Sequence, residues 1–379
     1  LQWWLSQPWS WCQRVGFIDF FFPQSVRVRQ AVESLFGVRP SISSGDTDMK
    51  RVFIKTVLAT LAMAAVGMAS AQEKTIKFAN QNSAGHPIIL GMEKFKEVVE
   101  AKSGGKIKVN VFPGGALGND QANVSAVQGG SLEMVSLNSG ILASQVKDFA
   151  VFDFPFMFAN EKEADAVVDG AFGKKMHDKL LEKGIVGLGY YELGFRNMSN
   201  GKRPINKLAD IEGLKLRVIP NPINVDWVKA LGANPTPLPF PELYAALEQK
   251  AVDGQENPVA TINSAKLYEV QKHLVMTNHQ YNPQSVLISK KFYDTLSAAE
   301  KKIVEEALAE SVKFQRAQSR NQVASITENL KKNGMQITTL PAAEMTALRE
   351  KMKPVIAKHG EPIAATVAEL QAELAKLRK

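Results

Sequence analysis

The chain alternates between two hydrophobic rhythms. In "TIKFAN", Thr75 to Asn80, apolar residues take every second position, which predicts a strand running into the polar Gln81-Asn82-Ser83. Ile89, Met92, Phe95 and Val98-Val99 then recur at helical spacing. "SGGKIKVNVFPGG" reads as a glycine turn into a strand in which Ile107, Val109 and Val111 alternate, closed by Pro113-Gly114-Gly115. A helix over Asp120 to Gln128 and a strand at "LEMVSLN" complete a β-α-β-α-β succession, the rhythm of an open, mostly parallel sheet.

A second unit of the same kind starts near "GIVGLGYYELGFRN" and continues through "LKLRVIPN", the helix "INVDWVKALGA", "PTPLP" and the helix "PELYAALEQKAVDG". In "LKLRVIPNP", Leu214, Leu216 and Val218 share one face, with Lys215 and Arg217 on the other. "FDFPFMF", Phe152 to Phe158, reads as a core or hinge-side strand. The C-terminal region is helical, and its long amphipathic helix is capped at Ser297. Two tandem α/β units with helical decoration imply an α/β fold of two lobes around a cleft, with ligands off the carboxyl ends of the strands.

Composition changes the picture mainly at the N-terminus. Four of the five tryptophans (Trp3, Trp4, Trp9, Trp11) and the only cysteine, Cys12, fall in the first twelve residues. From Met49 the text reads as a secretory signal: Lys50, Arg51 and Lys55 form a basic start, Val57 to Val66 an apolar run, and Ala69-Ser70-Ala71 a cleavage site. The run is short of the about 20 residues that a spanning helix needs. Residues 49–71 are therefore expected to be removed, residues 1–48 to be an over-extended reading frame, and the mature chain to act in a periplasm. That mature chain carries 39 Lys and Arg against 34 Asp and Glu, a net charge of +5. So mild a balance, without a basic block, points away from nucleic acid and suits small anions. It has no cysteine, which excludes disulfide and thiolate chemistry.

The polar residues at the strand ends are the candidate chemistry. Gln81 and Asn82, Asn138 and Ser139, Arg196 and Asn197, Arg217, and Asn257 after "AVDGQE" should all face one crevice. Arg196 and Arg217 offer planar forks for a carboxylate. Asn257 would fix the same group with its amide, and Phe240 would give an apolar wall. The five histidines are scattered without metal-ligand spacing, and neither a G-x-S-x-G motif nor a P-loop is present. No cofactor and no enzymatic activity are expected.

Together, "FPGGALGND", "GFRNMSNGKRPI", "DIEGLKLRVIPNP", "LGANPTPLPFPELYAALEQKAVDGQENP" and "LYEVQKHLVMTNH" resemble the periplasmic solute-binding subunits of TRAP transporters, the DctP-type proteins. The likeness runs from Thr75 onward. It implies a two-lobed periplasmic binding protein of the Venus-flytrap kind, with a hinge and long C-terminal helices. Such a protein closes over a carboxylate-bearing solute and passes it to a sodium-driven membrane permease. It implies that Arg217 pairs with the solute carboxylate, that Arg196 and Asn257 assist, and that Phe240 is the aromatic wall. Gln81 and Asn138 would be the polar contacts of the amino lobe. It also implies lobes that exchange segments, with crossovers near Gly194, Asn282 and the middle of the long helix. Residues 73–194 with 283–322 would form lobe I, and 195–282 with 323–379 lobe II. A monomer is expected.

The rest of the candidate lining is polar: Asn82, His86, Glu192 and Gln284. A Glu192 carboxylate facing the cleft would accept hydrogen bonds from hydroxyls and repel a second acid group. The leading expectation is thus a hydroxylated monocarboxylate such as a uronate or another sugar acid. A C4-dicarboxylate and an aromatic or keto acid follow. A ligand-presenting sensor ectodomain would use the same pocket, and an exported hydrolase or lyase would lack an acid/base pair.

Overall fold

The computed structural model describes residues 73–378. The expected signal at 49–71 and the extension at 1–48 lie outside these residues. Nine strands form one sheet: β1 (Lys74–Ala79), β2 (Ile107–Phe112), β3 (Met134–Asn138), β4 (Ile185–Asn200), β5 (Lys215–Val218), β6 (Asn234–Pro237), β7 (Gly254–Asn257), β8 (His273–Ser289) and β9 (Gln336–Thr339). Their order is β2-β1-β3-β8-β4-β7-β5-β6, with β9 on β8.

The sheet has two halves joined by two strands. β4 and β8 are 16 and 17 residues long, and they pair antiparallel along almost their whole length. The Ile185–Glu192 part of β4 and the Pro283–Ser289 part of β8 continue the β2-β1-β3 half. Beyond them, Gly194–Asn200 and His273–Tyr281 carry β7, β5 and β6 on one side and β9 on the other. The ladder shifts register between Glu192 and Gly194, where Gly194 faces Asn282. Gly194 has φ +106°, a conformation that glycine adopts without a Cβ penalty. The break in the ladder therefore sits where a residue without a side chain permits it.

Helices cover the sheet: α1 (Pro87–Lys102), α2 (Asp120–Gly129), α3 (Glu161–Val168), α4 (Ala171–Asp178), α5 (Pro222–Ala230), α6 (Leu243–Glu248), α7 (Val259–Ser264), α8 (Lys290–Tyr293), α9 (Ala298–Lys332), α10 (Ala342–Gly360) and α11 (Ala364–Leu377). One apolar core joins α1, β1 and β2 to the start of α9, with Phe78 and Phe95 edge to face at 5.5 Å. Another joins α6, α7 and the end of α9 around Leu243, Ile262 and Leu330. The largest runs through both halves, from Phe149, Phe152 and Tyr190 to Trp227, Leu348 and Leu370. "FDFPFMF" is not a strand. Phe152 and Asp153 end a 3-10 turn, and Phe156 takes φ +56°, so the segment adds side chains to that core rather than a ladder.

The 35-residue helix α9 starts on a capping box between Ser297 and Glu300 and extends about 50 Å at 1.5 Å per residue. It is clamped to β4 just before the register break. Gln315 donates to the Glu192 carbonyl and accepts from the Glu192 amide, both at 2.8 Å. Arg316 donates to the Tyr190 carbonyl and forks onto Asp169, while Arg320 bridges Glu192 and Asp165.

This corrects the expectation for Glu192. Its side chain is 3% exposed, 2.6 Å from Arg320, and receives the Tyr281 hydroxyl at 3.1 Å. An arginine on α9 and a tyrosine on β8 draw the carboxylate away from the cleft. Replacing Arg320 with Ala would leave this buried carboxylate with one neutral donor. Because Arg320 is partly exposed, we expect a loss of about 1–3 kcal/mol in a urea-unfolding measurement, below the full cost of breaking a buried pair. An unchanged unfolding midpoint would contradict the clamp.

Candidate functional site

The carboxyl ends of β1, β3 and β5 and the register break of β4 and β8 converge on one cleft. Seven of the nine residues singled out from the sequence line it: Gln81, Asn138, Arg196, Arg217, Phe240, Asn257 and Gln284. Asn82 also lines it, and the enclosed space is about 20 Å³. Glu192 and His86 do not line it.

Arg217 enters from the third position of the short strand β5, whose central residues are all buried. It is 2% exposed. Its Nε donates to the Leu238 carbonyl at 2.8 Å, and its guanidinium carbon lies 5.9 Å from the Phe240 ring centre. Among the described residues neither terminal nitrogen has a hydrogen-bond partner, and no carboxylate lies within ion-pair distance. Burial lowers its pKa to about 10, even though Glu256 and Asp120 favour the charged form. It still carries its charge at neutral pH.

Arg196 is differently placed. It sits where β4 shifts register against β8, next to β7, and it is engaged by Glu256. Its Nε reaches Glu256 Oε2, and Nη2 bonds both the Glu256 carbonyl and Oε1, the latter at 2.8 Å. His279 Nε2 lies 3.4 Å from the same carboxylate, an ion-pair distance outside hydrogen-bond geometry. Burial works against the Glu256 anion, but Arg196 and His279 together outweigh it and hold the carboxyl at about 2. Of the two arginines, then, Arg196 is largely neutralised by the fold and Arg217 is not. Glu256 escaped the sequence reading because it belongs to the strand that ends in Asn257, one position from a residue already singled out.

The carboxamides are oriented by their neighbours. Gln284 Oε1 accepts from Asn80 at 3.1 Å and from Ser136 at 3.2 Å, so its NH2 group remains without a partner among the described residues. Asn257 donates to Gln255. Gln81 donates to Asp120 Oδ2 at 2.8 Å.

Asp120 is the site residue that the sequence hid. It is the first residue of α2, where an acid complements the helix N-terminus, and that role masked any other. Here it is 2% exposed, lines the same cleft as Arg217, and has a buried Oδ1 without a partner. Burial raises its carboxyl to about 7, against the pull of Arg217 and a backbone hydrogen bond at Asn138.

His86 is corrected as well. It caps α1, with Nδ1 accepting from the Ile88 amide at 3.1 Å, and Nε2 lies 3.2 Å from Thr261 Oγ1 on α7. With Nδ1 an acceptor, the ring is neutral and Nε2 is the donor. Burial pulls it down to about 3. The unfolded chain, titrating near about 6.5, therefore takes up this proton first. Stability tied to neutral His86 is complete above that pH and is lost as pH falls toward the folded value. His86→Asn keeps a capping acceptor but has no such proton. Relative to the unmodified protein its stability should rise by about 1.4 kcal/mol per unit as pH falls from about 6 to about 4. Urea unfolding at several pH values measures this, and a difference independent of pH would refute it.

A larger cavity of about 870 Å³ lies between α9 and the Val186–Tyr190 part of β4. Its arginines, Arg316 and Arg320, are already paired with Asp165, Asp169 and Glu192, so neither is free to anchor an anion. Among the described residues no group of three His, Cys, Asp or Glu side chains is placed to hold a metal.

Comparison with known proteins shows the family. Residues 78–362 match the family model DctP, bacterial extracellular solute-binding protein, family 7. A TRAP periplasmic solute binding protein from Ochrobactrum anthropi, crystallised with its C-terminus in the ligand-binding pocket, is 52% identical with a TM-score of 0.73, covering 82% of this chain and 97% of that one. The sugar acid binding protein DctPAm of Advenella mimigardefordensis, solved with galactonate, is 42% identical with a TM-score of 0.79, covering 80% and 99%. The C4-dicarboxylate-binding periplasmic protein DctP of Rhodobacter capsulatus is 33% identical over 319 residues, 83% of this chain and 96% of the relative.

Proposed function

We propose that this chain, which belongs to bacterial extracellular solute-binding protein family 7, captures a hydroxylated monocarboxylate in the periplasm and delivers it to a TRAP permease. One observation carries the reading. Arg217 is a charged guanidinium, almost wholly removed from water, whose two terminal nitrogens meet no protein acceptor. Burying an ion is unfavourable unless something answers it, and a planar carboxylate fits that fork with two parallel hydrogen bonds. Arg196 Nη1 and the NH2 of Gln284 are further donors at the same cleft, and Phe240 bounds the carboxylate end.

The remainder of the solute meets Asp120, Gln81 and Asn138. Asp120 takes the part first given to Glu192: an acid that accepts from or donates to hydroxyls and, when ionised, repels a second carboxylate. This favours a sugar acid, an aldonate or uronate, and DctPAm is a sugar acid binding protein. The likeness to the C4-dicarboxylate-binding protein favours a second reading, a dicarboxylate. The enclosed space of about 20 Å³ is of the order of one water molecule, so binding requires the walls to part and close again. We place that motion at Gly194 and Asn282, with residues 73–194 and 283–322 moving against 195–282 and 323–363. The closing helix α11, expected in the second body, goes with the first, because Arg378 forks onto Glu163 and Lys175 reaches Glu369. Closure is then a population shift, in which only the closed form gives the acid all its contacts.

A thermal-shift screen of the purified chain against small organic acids tests the function, since a ligand of the native state raises the melting temperature. An aldonate or uronate should stand out. Arg217→Ala should weaken its binding by about 100-fold or more, and Arg217→Lys should retain part of the affinity but lose selectivity among acids. Affinity of Arg217→Ala close to that of the unmodified protein would end the site assignment. Asp120→Asn should narrow the gap between the sugar acid and succinate in a competition titration, because one negative charge leaves the wall. If succinate already outcompetes every sugar acid in the unmodified protein, the dicarboxylate reading replaces this one.

A further inference from the structure

Asp153 ends the Lys147–Asp153 turn with no exposed surface, and among the described residues it has no ion-pair partner. Four carboxamides converge on it instead. Oδ1 accepts from Asn138 at 3.3 Å and Asn282 at 3.2 Å, and Oδ2 accepts from Asn221 at 2.8 Å and Asn224 at 3.1 Å. Gln280 donates to its carbonyl at 2.6 Å. The backbone is pressed against the carboxylate too. A Cβ on Gly140 would lie 2.2 Å from its Cγ and Oδ2, so only glycine fits there.

The donors come from separate parts of the chain. Asn138 ends β3 and lines the candidate site. Asn221 follows Arg217 by four residues and precedes α5, and its Nδ2 also donates to the Gly140 carbonyl at 3.2 Å. Asn224 is in the first turn of α5. Asn282 stands opposite Gly194 at the register break. Burial raises the Asp153 carboxyl to about 6, against Arg196 on β4 and the donated amide hydrogen bonds. The faces of β3, α5 and β8 present carboxamides to it.

We propose that Asp153 is a positioning residue for ligand recognition: its one carboxylate holds Asn138 on one wall of the site and, through Asn221 and Asn224, the turn that follows Arg217 on the other. The proposal rests on the reading of that cleft as the acid-binding site. A neutral amide at position 153 has a single acceptor oxygen and turns its own NH2 toward the NH2 groups of its neighbours. Asn138 is then free to rotate, and the turn after Arg217 loses a tether. A merely stabilising role would instead lower the unfolding midpoint and leave the folded protein's affinity unchanged.

The test is calorimetric titration of the full chain and its Asp153→Asn variant with D-galactonate, D-galacturonate and succinate. Beside it, the side-chain NH2 resonances of Asn138, Asn221 and Asn224 are followed by NMR in the ligand-free, unmodified protein from about pH 5 to pH 8. We expect the variant to bind the best of the three probes at least about tenfold more weakly while remaining folded. We also expect the three amides to titrate together, with a midpoint of about 6. Equal affinity in a folded variant overturns the proposal. If the variant does not fold, Asn224→Ala, which removes one of the four donors and no residue lining the cleft, is titrated in its place: binding at least about threefold weaker supports the role, and equal affinity overturns it. If the unmodified protein binds none of the probes, the sugar-acid and succinate readings fail. The amide titration still judges Asp153 by itself.

Discussion

The structure is organised by what it costs to take charge out of water. Arg196, Arg217, Glu256, Asp120 and Asp153 are all nearly inaccessible and lie close enough to act on one another. A lone ion in such a place costs several kcal/mol, so each must be paired, surrounded by dipoles or neutralised. Arg196 and Glu256 answer each other, and Asp153 is answered by amides. Asp120 is raised far enough to share its time between charged and neutral forms. Arg217 is the remaining term: Glu256 and Asp120 only partly offset its burial, and on the proposed reading a bound acid supplies the rest. On that reading, affinity for an anion follows from the imbalance.

The strands explain why the imbalance can be switched. A carboxylate between two fixed walls would exchange slowly, and one on an open surface would be bound weakly. β4 and β8 run through both halves and change register between Glu192 and Gly194, so the sheet is continuous but not uniform. α9 grips β4 immediately ahead of that break through Gln315, Arg316 and Arg320. The Arg196–Glu256 pair lies just beyond it. On the proposed motion, bending would be concentrated in the few residues between these two well-tied regions.

Much of this was legible in the residues. The period-two and helical runs placed β1, α1, β2, α2, β3 and β5, and the rule that strands end at the crevice brought Gln81, Asn138, Arg196 and Arg217 together. What failed did so for identifiable reasons. Glu192 lies on a strand whose alternation could not reveal a partner 128 residues later on α9. His86 follows a polar run and looks like a lining residue, but it caps the helix it precedes. Asp120 was concealed by the reverse ambiguity, because an acid in the first turn of a helix already has a sufficient local reason to be there. β9 is four residues between two helices, too short to show a period. Local pattern fixes where a side chain starts; its partner depends on long-range packing.

The shared strands have a consequence for how the chain reaches its fold. Gly194 pairs with Asn282, 88 positions apart, and neither half of the sheet owns its central pair of strands. A fragment ending before β8 would leave β3 and β4 with unpaired edges, and one starting after β4 would leave β8 and β7 so. The two lobes are therefore separate in space but not in assembly: the first cannot finish before most of the second has been made. Closing loops of that length is slow. Until β8 arrives, β3 and β4 stand as open sheet edges.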